Sequence, residues 1–457
     1  MFPAGFGSAH ICQSLRRSDT YHNVALDFTT INPARMATPE VKNIVIIGGG
    51  IIGSCTAYFL SHHSFFNPAI HTITILEATR IAGGASGKAG GLLALWAYPD
   101  AIVPLSFRLH KELAEKHNGV ERWGYRGVFA GQIGAKGRIV SKSSTGGKEQ
   151  IPAKDEVENP SISHKISLQK RSEDAMALLK AAGVPKDLDW LVPESVTEYE
   201  YMGDPNTTAQ VHPYQFTTSM VEIAKEKGVN VIIGKAQSID KSNGEVRTVT
   251  YIDKETGQTK TLPADTVVLA AGAWCPNLLP EAPITTIRAH SVTIRPTRPV
   301  SAHVLFTQIQ LPPSFDKGLD SGKISGRTHA SVVTPEIYAR PNDEVYACGE
   351  GDSIAPLPES TDDVEVVESR CEDIISQVSA ISDELRDGEI TARQACYLPL
   401  GGPLIGRTHI KGLILSSGHT CWGIQNAPGT GKCVSELIWE GKVKSAKIGS
   451  LDPMRAM

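Results

Sequence analysis

The run Gly48-Gly49-Gly50-Ile51-Ile52-Gly53 limits what this chain can fold into more than any other stretch. It follows residues 43–47, a nearly continuous β-branched segment of the kind that forms a strand buried on both faces, and opens a helical stretch that reaches about Ser61. In that context each glycine has a job. Gly48 permits the tight turn, Gly50 lets backbone N–H groups approach a pyrophosphate, and Gly53 lets helix and strand pack closely. Ile51 and Ile52 open the helix, whose N-terminal dipole and free N–H donors favour a dianion.

A second strand, residues 72–76, ends at Glu77, which follows Gly53 by 24 residues. That is slightly more than the usual spacing of about 20 for an acid that accepts from ribose hydroxyls, and the loop at 62–68 accounts for the excess. Strand, turn, helix and acid together point to an adenine dinucleotide; a glycine turn beside an unrelated surface acid is the weaker alternative.

Composition removes other classes. The 457 residues carry 45 Lys+Arg against 49 Asp+Glu, a net charge of −4 without a basic stripe, so neither nucleic acid nor an anionic membrane surface is expected as a partner. The 8 cysteines are scattered with no C-x-x-C, which predicts no metal site and fits a reducing, cytoplasmic setting. The longest apolar run, residues 44–60, is broken by glycines and reads as strand, turn and helix, not as a membrane span. Residues 1–40 read as a disordered leader and about 136–164 as a polar insertion carrying no chemistry.

Further elements follow from pattern. Phe216, Met220, Ile223 and Ala224 share a helical face that ends at a capping Gly228; residues 229–233 form a strand; 246–252 and 258–262 form a hairpin; 266–270 form another buried strand. Val364, Val367, Cys371, Ile374, Val378 and Ile381 outline one amphipathic helix, and a last strand at 412–415 leads to a helix from about Gly431 to Glu440.

The β-α-β unit cannot separate NAD from FAD; a second glycine-rich segment can. Gly83-Gly84-Ala85-Ser86-Gly87-Lys88-Ala89-Gly90-Gly91 supplies small residues and backbone donors along an extended ligand. This segment resembles the A-S-G-x-x-x-G stretch of the D-amino-acid oxidase-like (DAO) family of FAD-dependent oxidoreductases, its fungal branch included. Two more segments match in order. Residues 265–274, with Ala271, Gly272 and Trp274, resemble the strand-to-glycine turn of the family, and residues 417–431, with Gly418, His419, Gly423 and Ile424, resemble its C-terminal G-H-x-x-x-G loop. The resemblance covers about residues 43–457 and implies FAD as cofactor. Along the ligand it places Ala85, Ser86, Gly87, Lys88, Gly90 and Gly91 beside pyrophosphate and flavin, Ala236 at the adenine, and 418–424 at the isoalloxazine.

The implied fold is α/β: a Rossmann-like, glutathione-reductase-type FAD-binding domain (41–100, 208–282 and 388–457) with a second, mainly antiparallel α+β substrate domain (101–207 and 283–387). The implied chemistry is oxidation of the C–N bond of an amine or amino-acid-like small molecule by hydride transfer to flavin N5, with oxygen or another electron acceptor closing the cycle. One departure bears on the substrate. The family's carboxylate-binding Arg has no counterpart in residues 396–406; Arg340 or Arg393 could substitute, and structural ion pairing competes with that role. Candidate catalytic residues are His290, Arg340 and Lys88, each with a structural reading beside it. Cys396 lies near where relatives attach flavin covalently. A flavin dehydrogenase of a hydroxy acid or alcohol, or a flavin-loaded interaction protein with little turnover, are the alternatives, and oligomeric state stays open.

Overall fold

A computed structural model describes residues 41–139, 173–313, 315 and 330–457. The expected leader and residues 140–164 of the expected insertion lie outside them.

The first β-α-β unit forms as its pattern predicts, with strand Lys42–Ile47, helix Ile51–Ser61 and strand His71–Glu77. Among the described residues these strands belong to an eight-stranded sheet. Strand Lys42–Ile47 lies at its centre, pairing in parallel with His71–Glu77 on one side and Thr266–Leu269 on the other. Strands Asn230–Asp240 and Leu413–Ser417 continue the parallel core outward. The antiparallel pair Thr248–Asp253 and Thr259–Pro263 closes one edge, and Leu404–Arg407, antiparallel, closes the other.

Side chains alternate to two faces, as in any strand. Ile44, Ile46, Ile73, Ile75, Val268 and Ile414 pack in one cluster with residues of helices Ile51–Ser61, Pro213–Lys225 and Gly423–Trp439. Val45, Ile47, Val267, Leu269, Leu413 and Leu415 pack on the opposite face against Val249, Tyr251, Cys275 and Leu279. The parallel pairings stop at one edge of the sheet, and the Gly48 turn, Glu77, Ala270 and Gly418 lie at or just past it, where open α/β sheets bind ligands.

A second sheet runs in the order Glu389–Leu400, Thr285–Arg295, Glu344–Cys348, Glu336–Arg340, His303–Gln310, Phe129–Lys136, Val196–Gly203. It is antiparallel except between His303–Gln310 and Phe129–Lys136. Val292, Leu305, Ile337, Val345 and Ala347 bury one face against Cys371, Ile374 and Val378 of helix Glu368–Ser379.

Two helix boundaries differ from the pattern. The helix expected from Val364 begins at Glu368, because residues 364 and 367 are extended and the Val367 N–H donates to His290 Nε2. The last helix begins at Gly423, eight residues before the expected Gly431, and runs through Pro428.

Candidate functional site

A single continuous cleft of about 1300 Å³ lies across the C-terminal ends of the parallel strands. Its walls bring together segments that are far apart in sequence: Gly48 to Ile52, Leu76 to Ala78, Gly83 to Ser86, Gly234 to Ala236, Ala270 to Trp274, Tyr397 to Pro399 and Ser416 to Ile424.

The glycine turn fits a phosphate-bearing ligand for steric reasons. Gly48 has φ +114°, and a Cβ there would sit 2.4 Å from the Ala270 carbonyl oxygen. A Cβ on Gly53 would sit 2.0 Å from the Gly48 oxygen, so this position sets how closely the helix lies under the turn. Gly50 is different: a Cβ would meet only Ser86 Oγ, at 3.1 Å, so the missing side chain leaves space on the cleft side. Of the helix's first N–H groups, Ile51 donates to Ser86 Oγ at 2.8 Å, and those of Ile52 and Gly53 have no intrahelical acceptor. Two unspent donors at a helix start, over a glycine floor, are what a pyrophosphate needs.

Glu77 has two roles. One carboxylate oxygen accepts the Gly49 N–H at 2.7 Å and the other the Thr79 N–H at 2.9 Å, so the acid pins the glycine turn to the second strand while it lines the cleft. Its remaining lone pairs can accept from ribose hydroxyls. Gly234, Lys235 and Ala236 border the same end.

At the far end, Ser416 lines the cleft and its buried Oγ has no hydrogen-bond partner among the described residues, a polar atom suited to a polar ligand edge. Gly418 takes φ +82° and turns the chain into helix Gly423–Trp439, whose N-terminus opens on the cleft. His419 lies under this turn: its Nε2 donates to Thr430 Oγ1 at 3.0 Å, and burial pulls its pKa down to about 3, so the ring is neutral. Together these features fit an extended dinucleotide carrying a polar ring system, with its phosphates at Gly50 to Gly53.

Among the residues expected from sequence, Gly48, Gly50, Ile51, Ile52, Glu77, Ala85, Ser86, Ala236, Ala271, Gly272, Trp274, His419, Gly423 and Ile424 border the cleft. Gly53, Gly87, Gly90, Gly91 and Gly418 lie behind that wall and shape it. A Cβ on Gly87 would strike the Ala82 oxygen at 2.2 Å, one on Gly91 the Val211 oxygen at 2.1 Å, and one on Gly90 the Tyr338 ring at 2.7 Å.

None of the three catalytic candidates borders the cleft. Lys88 Nζ donates to the Ala395 carbonyl at 2.8 Å, and burial lowers its pKa. His290 is buried; its Nε2 accepts the Val367 N–H, and Nδ1 lies 3.8 Å from Asp352. Arg340 pairs with Glu344 at 2.7 Å, donates to the Ala89 and Gly90 carbonyls and stacks on Tyr346. It ties the glycine-rich segment to the second sheet, with its guanidinium committed. Arg393 pairs with Glu372 at the surface.

Sequence reasoning missed the cleft residues Tyr397, Leu398 and Pro399, which come from an edge strand of the second sheet, and Glu359, Ser360 and Thr361, which come from a loop. A loop contact fixes the latter group, since Trp274 Nε1 donates to the Pro358 carbonyl at 2.7 Å. No local pattern signals such a long-range placement.

Comparison with known proteins accords with this geometry. A family model described as FAD dependent oxidoreductase (DAO) matches residues 43–437. TDA3 of Saccharomyces cerevisiae, named a candidate oxidoreductase, is 35% identical over 90% of this chain and 94% of its own length. A Schizosaccharomyces pombe protein named in the same way is 33% identical, over 90% of this chain and 98% of its own. Two solved structures share the fold. Glycine oxidase from Bacillus cereus has a TM-score of 0.58 at 19% identity, covering 88% of this chain and 96% of that one. L-proline dehydrogenase from P. horikoshii has a TM-score of 0.63 at 16% identity, covering 92% and 98%.

Proposed function

This chain belongs to the DAO family of FAD-dependent oxidoreductases, and on that premise we propose that it oxidises the C–N bond of an amine or amino-acid-like small molecule. Its cofactor is FAD. The observation that carries the reading is the continuity of the cleft: one wall joins Gly50 and Glu77 to the helix start at Gly423 and to Leu398 on the second sheet. The solved neighbours that share the fold act, by name, on glycine and L-proline, which supports a substrate with nitrogen beside the reacting carbon.

The chemistry that bound FAD supplies is two-electron acceptance, as hydride at its N5. The chain's residues do the rest. The Ile52 and Gly53 N–H groups and the helix dipole would hold the pyrophosphate, Glu77 would accept from the ribose hydroxyls, and the helix that starts at Gly423 would favour negative charge at the far end of the cleft. The substrate amine would give up a hydride to the bound flavin and a proton to solvent, the imine product being hydrolysed by water.

Anaerobic mixing of the FAD-loaded protein with a panel of amines tests this. Bleaching of the flavin band by an amine supports C–N oxidation. Bleaching by hydroxy acids alone assigns a dehydrogenase of those compounds, and no bleaching by either class leaves a flavin-loaded binding protein.

A further inference from the structure

Glu336 lies on a central strand of the second sheet, where both neighbouring strands flank it, yet it keeps partial exposure while residues 337–340 are buried. The register aligns Phe306, Glu336, Cys348, Ser291 and Gln394 in one row across the sheet, on the face opposite the Ile337 core. Phe306, Cys348 and Gln394 are likewise only half-buried. On that face Cys396 and Leu398 follow Gln394 at two-residue steps, and Leu398 is a wall of the cofactor cleft. That half-buried face therefore runs up to the cleft.

Aromatic rings lie along this face. Phe306 lies 6.5 Å from Tyr338 and 5.9 Å from Trp96, and Trp96 lies 5.5 Å from Trp422. Trp422 in turn sits between Cys421 and Gly423, both of which border the cleft.

The Glu336 carboxylate accepts from the Tyr338 hydroxyl and lies 3.8 Å from Cys348 Sγ. Among the described residues it has no arginine, lysine or histidine partner. Arg340 is committed to Glu344 and two carbonyls, and Lys88 to the Ala395 carbonyl. Burial raises the pKa of Glu336, because an uncompensated charge is costly away from water. A cation seated beside Glu336 on this face would offset that cost and lie near electron-rich rings.

We infer, resting on the C–N oxidation reading, that the substrate is a cationic amine with an apolar substituent: Glu336 takes the ammonium group, Phe306, Tyr338, Trp96 and Trp422 take its flanks, and no substrate carboxylate is required. The commitment of Arg340 to the glycine-rich segment agrees with the last point.

The test uses the FAD-loaded full chain and benzyltrimethylammonium, whose quaternary nitrogen cannot become an imine, so its effect on the oxidised flavin spectrum reads binding alone. A saturable perturbation is expected, weakened by about tenfold or more in Glu336→Gln at unchanged FAD content, while benzoate gives no perturbation. The KM for benzylamine should rise with it. A perturbation by benzoate alone, or a cation affinity within about twofold of wild type in Glu336→Gln, overturns the inference. If Glu336→Gln retains no FAD, Trp96→Leu and Trp422→Leu decide: lower cation affinity with FAD retained supports it, and unchanged affinity overturns it. Amine turnover at unchanged KM in Glu336→Gln refutes this assignment and leaves C–N oxidation standing. Cation binding without turnover of any amine does the reverse.

Discussion

The Nε2–H of His110 donates across 2.9 Å to the carbonyl of Ile424, the helical acceptor that Pro428 leaves without a donor. A proline inside a helix removes the bond to the fourth residue before it, and here a histidine from helix Val103–His117 replaces that bond. Ser106, one turn earlier, accepts the Gly429 N–H and donates to the Asn426 carbonyl, both at 3.1 Å. The first turns of the helix that opens on the cleft are thus held by side chains from a second helix.

Replacing His110 with Phe should leave the buried Ile424 carbonyl unpaired, cost about 1–3 kcal/mol of stability and weaken FAD retention. In a Pro428→Ala background the restored N–H makes His110 less necessary, so the same replacement should cost less. Chemical denaturation of the four proteins measures the coupling. Purely additive effects would show that the two residues act independently.

Stability should fall between neutral pH and about pH 4. Burial depresses His110 from 6.5 to about 4 and His419 from 6.5 to about 3. The unfolded chain binds more protons than the folded one across that window, so the contribution is fully present above about pH 6.5 and is lost as pH falls through the folded values. For His110 alone it is about 3 kcal/mol. Denaturation midpoints between pH 7.5 and pH 4 should drop, and less steeply in His110→Asn; a flat profile in wild type would refute this.

Gly53→Ala should drive the helix away from the turn, because the added methyl carbon would meet the Gly48 oxygen at 2.0 Å. Overpacking of this kind costs about 1–3 kcal/mol. The ratio of FAD to protein after gel filtration should fall with it, and a variant that keeps full FAD occupancy would show that the turn tolerates the shift.

Glu77→Gln retains the side chain's shape but loses the charge that holds the Gly49 and Thr79 N–H groups. FAD affinity by fluorescence quenching should weaken about tenfold, and Glu77→Ala should lose more affinity and also stability. Equal affinity in all three proteins would remove Glu77 from the cofactor site.

Cys396 is buried, and burial pushes its thiol pKa up to about 11, so little nucleophilic thiolate exists at neutral pH. Acid precipitation should therefore release all yellow colour to the supernatant. Colour retained in the wild-type pellet and lost from that of Cys396→Ala would establish covalent attachment.

What was legible in the sequence depended on local constraints. The Gly53 contact is set by the Gly48 oxygen, five residues away, and Glu77 ends the next strand, so spacing alone exposed them, although the close approach of Gly48 is to Ala270, far along the chain. The start of the last helix was illegible because Ala427-Pro428-Gly429 reads as a break, and the donors that permit it come from Ser106 and His110, over 300 residues earlier in the chain. Glu336 gave no signal either. Only the register with Phe306 and Cys348 shows that it belongs to the half-buried face that runs up to the cleft. The arginine candidates failed to separate for the same reason, since the partners of Arg340 at Ala89 and Gly90 lie 250 residues away.

FAD uptake by the purified chain and by Gly53→Ala, read by absorbance and equilibrium dialysis, decides whether the glycine turn and its cleft hold the cofactor. The wild-type protein should be yellow and hold one FAD per chain, and the variant should be depleted of it. A colourless wild-type protein that takes up no FAD from an excess would contradict this assignment.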